Sequence, residues 1–204
     1  NRSIIRRCTY ITIEKNCTGH AANAFKIKHL NLIRTLFILD LEVHLIYCKD
    51  LFLTSTKSED NMVLITGSNS LLGRAIVDIF LEHGEKIRCY DQYRPEKLPE
   101  GVEFIQGDLF SAKRLTAACK NISTIIHLQD KSRTKSISRG KMKKINITGT
   151  KNLLFMARKA KIKRIIFLSS YAVYGKTKSF PTREEDIKKP YLPYGKDKLK
   201  AEKL

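Results

Sequence analysis

The sequence predicts an α/β fold, a doubly wound parallel sheet, on three observations. From residue 62 onward short apolar runs alternate with segments of helical spacing; a glycine-bearing loop joins the first run to the first helix; and an aspartate closes the second run. Apolar runs that read as buried on both faces, separated by helices, indicate parallel strands joined by right-handed crossovers.

Strands are expected at 62–66, 86–90, 102–106, 123–128 and 163–169, and helices at 71–83, 111–120 and 141–160. Gly84 follows the first helix, where a C-terminal glycine belongs. Met62 is the first methionine of the chain and leads directly into the first strand. The expectation is therefore that translation starts at Met62 and that residues 1–61 are an upstream extension without a function of their own. The alternative is a true appendage with a helix near 21–38 and a strand at 41–45.

Composition narrows the class. Of 204 residues, 42% are hydrophobic and 29% charged, which fits a soluble globular chain and excludes collagen-like, low-complexity and disulfide-dense sequences. The five cysteines (Cys8, Cys17, Cys48, Cys89 and Cys119) form no C-x-x-C pair or His/Cys cluster, so no metal site is expected and a reducing, cytoplasmic setting is. The most apolar stretch, Leu30 to Leu53, is interrupted by Arg34, Asp40, Glu42, Lys49 and Asp50, which argues against a membrane span. Lys and Arg outnumber Asp and Glu by 39 to 20. That excess raises nucleic acid as a partner. Against it, Lys143, Lys144 and Lys151 fall on a helix whose other face is apolar, and the basic run lacks aromatics for base stacking.

The loop Thr66-Gly67-Ser68-Asn69-Ser70-Leu71-Leu72-Gly73 has the form of a phosphate-binding turn. Gly67 suits the sharp turn and Gly73 the close packing of helix on strand, while Ser70 stands where a middle glycine is expected. The first turn, with Ser70, Leu71 and Leu72, offers unpaired N–H groups and a partial positive charge to a pyrophosphate. Eighteen residues beyond Gly73 comes Asp91, whose carboxylate can accept both ribose hydroxyls and repel a 2′-phosphate. This predicts NAD over NADP, with Arg94 close enough to complicate the choice.

Further on, Ser169-Ser170-Tyr171 follows the fifth strand, and Tyr194 and Lys198 are spaced to share one face of a helix opened by Pro193. An ammonium beside a phenol favours the phenolate, which is what a tyrosine needs to act as a base near neutrality. Ser170 is placed to hydrogen-bond the substrate oxygen. Glycine loop, acid, serine, tyrosine and lysine in this order are a specific signal.

On these residues the chain resembles the extended short-chain dehydrogenase/reductase family, the NAD-dependent epimerase/dehydratase group, through essentially all of 62–204. The resemblance implies a Rossmann fold, truncated before the C-terminal substrate domain, and an enzyme in which Tyr194 takes a hydroxyl proton as hydride passes to the nicotinamide. Lys198 also bonds the nicotinamide ribose in that scheme. Gly107-Asp108-Leu109 is similar to the element that contacts adenine, Ile125-Ile126-His127-Leu128 to the fourth strand leading to the cofactor's middle, and Asn146-Ile147-Thr148-Gly149-Thr150-Lys151-Asn152 to the helix in which Asn146 supports the active site. Sugar 4,6-dehydratases of the family carry Asp-Glu where this chain has Tyr171-Ala172, so the resemblance favours an epimerase or a dehydrogenase/reductase acting on a nucleotide sugar or similar molecule. A homodimer through the helices at 141–160 and 193 onward is implied as well. The chain departs from the family at Ser70 and at Gln129-Asp130, where small residues are usual. A carboxylate there is expected near the pyrophosphate, neutralised by Lys131 or Arg133. The third departure is the stop at Leu204, on which the expectation is that the chain is a fragment.

Overall fold

A computed structural model describes residues 62–132, 137–176 and 182–204. It contains strands β1 (Met62–Thr66), β2 (Lys86–Asp91), β3 (Val102–Gln106), β4 (Ile122–His127) and β5 (Arg164–Phe167). The five run parallel in the order β3-β2-β1-β4-β5. Between and after them lie α1 (Leu71–Glu82), α2 (Ala112–Ala118), α3 (Arg139–Lys143), α4 (Thr150–Lys159) and α5 (Pro193–Ala201). This is the doubly wound sheet that the sequence predicts. The helix expected near 21–38, the strand at 41–45, three of the cysteines and Arg133 fall outside the described residues.

The strands are where the apolar runs put them, because each buries its side chains in the sheet's interior. β1 is buried from Val63 to Thr66, and Leu64, Tyr90, Leu115, Ile125 and Leu153 share one core cluster. Arg88 is a charged residue inside β2 at 8% exposure. It is accommodated because its guanidinium meets Glu103 on β3 at 2.7 Å and donates to the carbonyls of Ala118 and Lys120, which close α2. Such a cation at a helix C-terminus satisfies carbonyls that the helix itself leaves unpaired.

One expected element is divided. The helix predicted at 141–160 is built as α3, a stretch of wider π-type turns at Lys144–Gly149, and α4. Apolar spacing cannot register a local change of pitch, and such wider turns cluster at functional sites. Lys143, Lys144 and Lys151 are exposed on this segment while Met142, Ile145 and Leu153 are buried, so the lysines are the solvated face of an amphipathic helix.

The chain runs from β1 outward to β3, then crosses back to β4 on the other side of β1. The crevice beyond the carboxyl ends of β1 and β4 is the point where strand order reverses, the place where open α/β sheets bind ligands. Thr66 and His127 are register partners at that end.

Candidate active site

The glycine loop sits at this crevice. Gly67 has φ 74°, and a Cβ there would lie 2.7 Å from the backbone N of Gln129. A Cβ on Gly73 would lie 2.4 Å from the Gly67 carbonyl oxygen. Loop, helix and the continuation of β4 therefore touch backbone to backbone. Ser70 has an ordinary extended conformation and caps α1: its hydroxyl donates to Gly67 O at 2.8 Å and accepts from Gly73 N–H at 3.0 Å. The serine is thus explained by the cap it makes, and its side-chain oxygen is engaged in the loop. Leu71 is 78% exposed beside it.

Asp91 ends β2 with its carboxylate turned to the loop, accepting from Asn69 N–H at 3.0 Å and Gln92 N–H at 2.7 Å. Arg94 lies over the Phe104 ring, 5.5 Å from its centroid. Asp108 accepts from the N–H groups of Phe110 and Ser111, both at 2.9 Å, and so shapes the turn into α2. Leu109 and Leu128, expected at the cofactor, are both buried, at 1% and 8% exposure, and Leu109 belongs to the main apolar cluster.

The Asn146–Asn152 segment works on the same crevice from below. The Asn146 side chain clamps the backbone of Lys131, accepting from its N–H and donating to its carbonyl, each at 2.8 Å. Gly149 leaves space that Leu109 fills, and Asn152 donates to the Leu109 carbonyl at 2.9 Å. Thr150 donates to Asn146 O at 2.8 Å and meets His127 Nε2 at 3.0 Å, while Thr66 Oγ1 lies 2.6 Å from His127 Nδ1. Because the Thr150 proton is already given to Asn146 O, the imidazole must carry its hydrogen on Nε2 and accept from Thr66. Burial, reinforced by the Lys198 ammonium, lowers its pKa from 6.5 to about 3. His127 is a neutral structural link. Sequence reading missed it, although the Thr66–His127 strand pairing is the signal that would have found it.

Ser170, Tyr194 and Lys198 come together beyond β4 and β5. Ser170 caps the short turn Tyr171–Val173, accepting from Ala172 N–H at 3.2 Å, and its hydroxyl also bonds Tyr194. Pro193 opens α5 at the first helical position, where its missing N–H costs nothing. Tyr194 and Lys198 then share a face, as predicted. Lys198 is 1% exposed, donates to Leu168 O at 2.6 Å and lies 4.6 Å from the Phe167 ring centroid.

The expected electrostatics are overturned by one residue. Among the described residues Asp130 turns inward: its Oδ2 accepts from Tyr194 at 2.6 Å and pairs with Lys198 Nζ at 2.7 Å. Lys131 is exposed, and the cation against Asp130 is Lys198. The carboxylate therefore screens the ammonium from the phenol. Burial raises the Tyr194 pKa, and the charge and hydrogen bond of Asp130 raise it further, with Ser170 acting in the opposite direction. Burial lowers Lys198, against the pull of Asp130 and Glu202. Tyr194 is held as a neutral phenol, the reverse of the sequence expectation. The separation of 64 positions between Asp130 and Tyr194 hides this contact from any local reading.

Among the described residues no helix is long and apolar enough to cross a membrane, and no group of His, Cys, Asp or Glu could hold a metal ion.

Comparison with known proteins agrees with this fold. Residues 63–204 match the model of the NAD dependent epimerase/dehydratase family. Short-chain dehydrogenase/reductase family 42E member 1 of Xenopus laevis is 28% identical over 69% of this chain and 37% of its own length. A UDP-glucose 4-epimerase of Halalkalibacterium halodurans is 29% identical over 70% of this chain and 44% of its own. Among solved structures, a short-chain dehydrogenase/reductase superfamily protein of Agrobacterium tumefaciens with bound NAD superposes with a TM-score of 0.65 at 32% identity, over 70% of this chain and 43% of that one. MoeE5 in complex with UDP-glucose and NAD gives 0.62 at 32%, over 70% and 47%. The chain spans less than half the length of each of these relatives.

Proposed function

Because the chain belongs to the NAD-dependent epimerase/dehydratase family, we propose that it binds NAD in the crevice beyond β1 and β4. There it would serve hydride transfer at a hydroxyl or keto carbon of a nucleotide sugar or similar small molecule, as an epimerase or a dehydrogenase/reductase. The observation that carries this reading is the convergence of Ser170, Tyr194 and Lys198 beyond the carboxyl ends of β4 and β5, next to the glycine loop.

The crevice fits a dinucleotide in three respects. A Cβ at position 67 would meet the Gln129 backbone and one at position 73 the Gly67 carbonyl, so backbone alone forms the cradle. Gln129 Oε1 is buried without a hydrogen-bond partner, an acceptor that a ribose hydroxyl would satisfy. Asp91 keeps lone pairs beyond the two N–H groups it accepts. These suit two ribose hydroxyls and oppose a 2′-phosphate, which favours NAD over NADP.

The bound nicotinamide supplies the hydride acceptor. Tyr194 takes the substrate hydroxyl proton, Ser170 hydrogen-bonds the same oxygen as charge develops on it, and Lys198 anchors the tyrosine end of the site through Leu168 O. Tyr171-Ala172 provides no acid–base pair for elimination of water, so dehydration is not part of this reading. The relatives named above for UDP-glucose support a nucleotide sugar, and the helices at 139–159 and 193–201 are the surfaces on which a homodimer would form.

The test is titration of the chain with NADH and NADPH by fluorescence, followed by screening UDP-sugars with NAD, at 340 nm for net oxidation and by chromatography of the sugar products for epimerisation. Tight NADH binding with turnover of a UDP-sugar is expected. Absence of NADH binding at millimolar concentration would remove the reading. Binding without turnover of any hydroxylated substrate would favour a second one, a dinucleotide-binding chain without catalysis, for which the engagement of both Tyr194 and Lys198 by Asp130 speaks.

A further inference from the structure

Asp130 lies where it can do more than neutralise a lysine. One oxygen, Oδ2, takes both the Tyr194 hydroxyl and the Lys198 ammonium. The loop that carries it is fixed by the Asn146 clamp on the next residue, Lys131. Among the described residues, Glu202 acts on Lys198 from the C-cap of α5 and is 3.8 Å from Lys188, and Asp197 is paired with Arg139. His127 is neutral. Among the described residues no other carboxylate bonds the tyrosine hydroxyl.

We propose that Asp130 governs the proton on Tyr194: its carboxylate receives that proton when the tyrosine oxygen takes one from a bound hydroxyl, and the Lys198 ammonium holds the carboxylate in place. The step balances simply. The O–H bond of the bound alcohol breaks as a new O–H bond forms on Tyr194; the original Tyr194 O–H breaks as one forms on Asp130. The C–H electron pair of the alcohol leaves as hydride to an oxidised nicotinamide, and the carbinol becomes a carbonyl. Asp130 acts through Tyr194, so it is a positioning residue in this reaction, and its role rests on the hydride-transfer reading above. A carboxylate is already ionised at neutral pH and a phenol is not. The pair thus provides a base at neutrality without a tyrosinate.

The test begins without ligand. Tyrosine ionisation is followed at 295 nm in the unmodified chain, Asp130→Asn and Asp130→Ala, with Tyr194→Phe as the blank and circular dichroism to show that each variant is folded. Tyr194 should remain un-ionised past pH 10 in the unmodified chain and ionise about 1–3 pH units earlier in both Asp130 variants, as Lys198 is left facing it without the carboxylate. An unmoved midpoint in the folded variants, or ionisation below pH 10 in the unmodified chain, overturns the proposal. NADH titration of the same proteins separates this from the parent reading. An ionisation shift without any NADH binding would support the Asp130–Tyr194 link and reject hydride transfer, whereas NADH binding without the shift would do the opposite.

Discussion

His127 offers a prediction whose size can be worked from the structure. The ring is fully buried between Thr66 and Thr150, with its pKa lowered from 6.5 to about 3 by burial first and the Lys198 charge second. Below pH 6.5 the unfolded chain binds a proton on this imidazole that the folded chain refuses. The unfolded state then binds more protons, so stability falls as pH falls, through the window from 6.5 down to 3. The limiting slope is about 1.4 kcal/mol per pH unit, and integration from pH 8 to pH 5 gives a loss of about 2 kcal/mol from this one group. His127→Gln removes the titration while keeping an amide able to donate and accept. Urea unfolding of both proteins at pH 8 and pH 5 isolates the term, since the four other histidines and all carboxylates are common to both. The unmodified chain should lose about 2 kcal/mol more than the variant over that interval. Equal losses, or an imidazole signal titrating near 6.5 by NMR, would refute the buried neutral ring and the Thr66–His127–Thr150 chain with it.

Other perturbations test other parts of the molecule. Asp91→Ala should relax discrimination against NADPH in the fluorescence titration; an unchanged NADH/NADPH ratio would remove Asp91 from the ribose position. Arg139→Ala leaves Asp197, whose side chain is 1% exposed, without its bidentate partner. Because the guanidinium itself is 41% exposed, the cost should fall below that of a fully buried pair, at about 2–3 kcal/mol by denaturation, with Arg139→Lys restoring only part. Gly73→Ala would bring a Cβ within 2.4 Å of the Gly67 oxygen. It should cost about 2 kcal/mol or more and weaken NADH binding, and a variant as stable and as tightly binding as the original would contradict the close loop packing.

Most of the sheet was legible because strand runs and helix faces are local patterns. β1, β2 and β3 match their expected spans within a residue, and α1 ends where Gly84 predicts. What was not legible depended on partners far apart in sequence. Asp130 reads as a misplaced charge beside a pyrophosphate until α5 folds back across 64 residues and supplies Tyr194 and Lys198. The π-type turns at Lys144–Gly149 likewise follow from tertiary demands: Asn146 must reach the Lys131 backbone while Gly149 admits Leu109. Ser70 reads as a defect in a glycine pattern, and only the backbone geometry shows it as the cap of α1.

The same contacts bear on what the Asn-x-x-Gly-Thr-x-Asn segment can say about activity. Asn146 holds the loop after β4, Gly149 and Asn152 hold Leu109, and Thr150 locks His127 to the end of β1. These four residues are engaged in hydrogen bonds or packing contacts within the fold, so this segment helps to build the crevice. The groups that converge on Tyr194 are the Ser170 hydroxyl, the Lys198 ammonium and the Asp130 carboxylate between them. Of these, Asp130 alone carries negative charge in a cluster that sequence reading assigned to two hydroxyls and a cation. A cluster of that composition holds its tyrosine protonated at rest. Under the proposed relay, oxidation of a bound alcohol would move the Tyr194 proton to Asp130 as the tyrosine oxygen accepts another, whereas reduction of a carbonyl would draw on the neutral phenol directly.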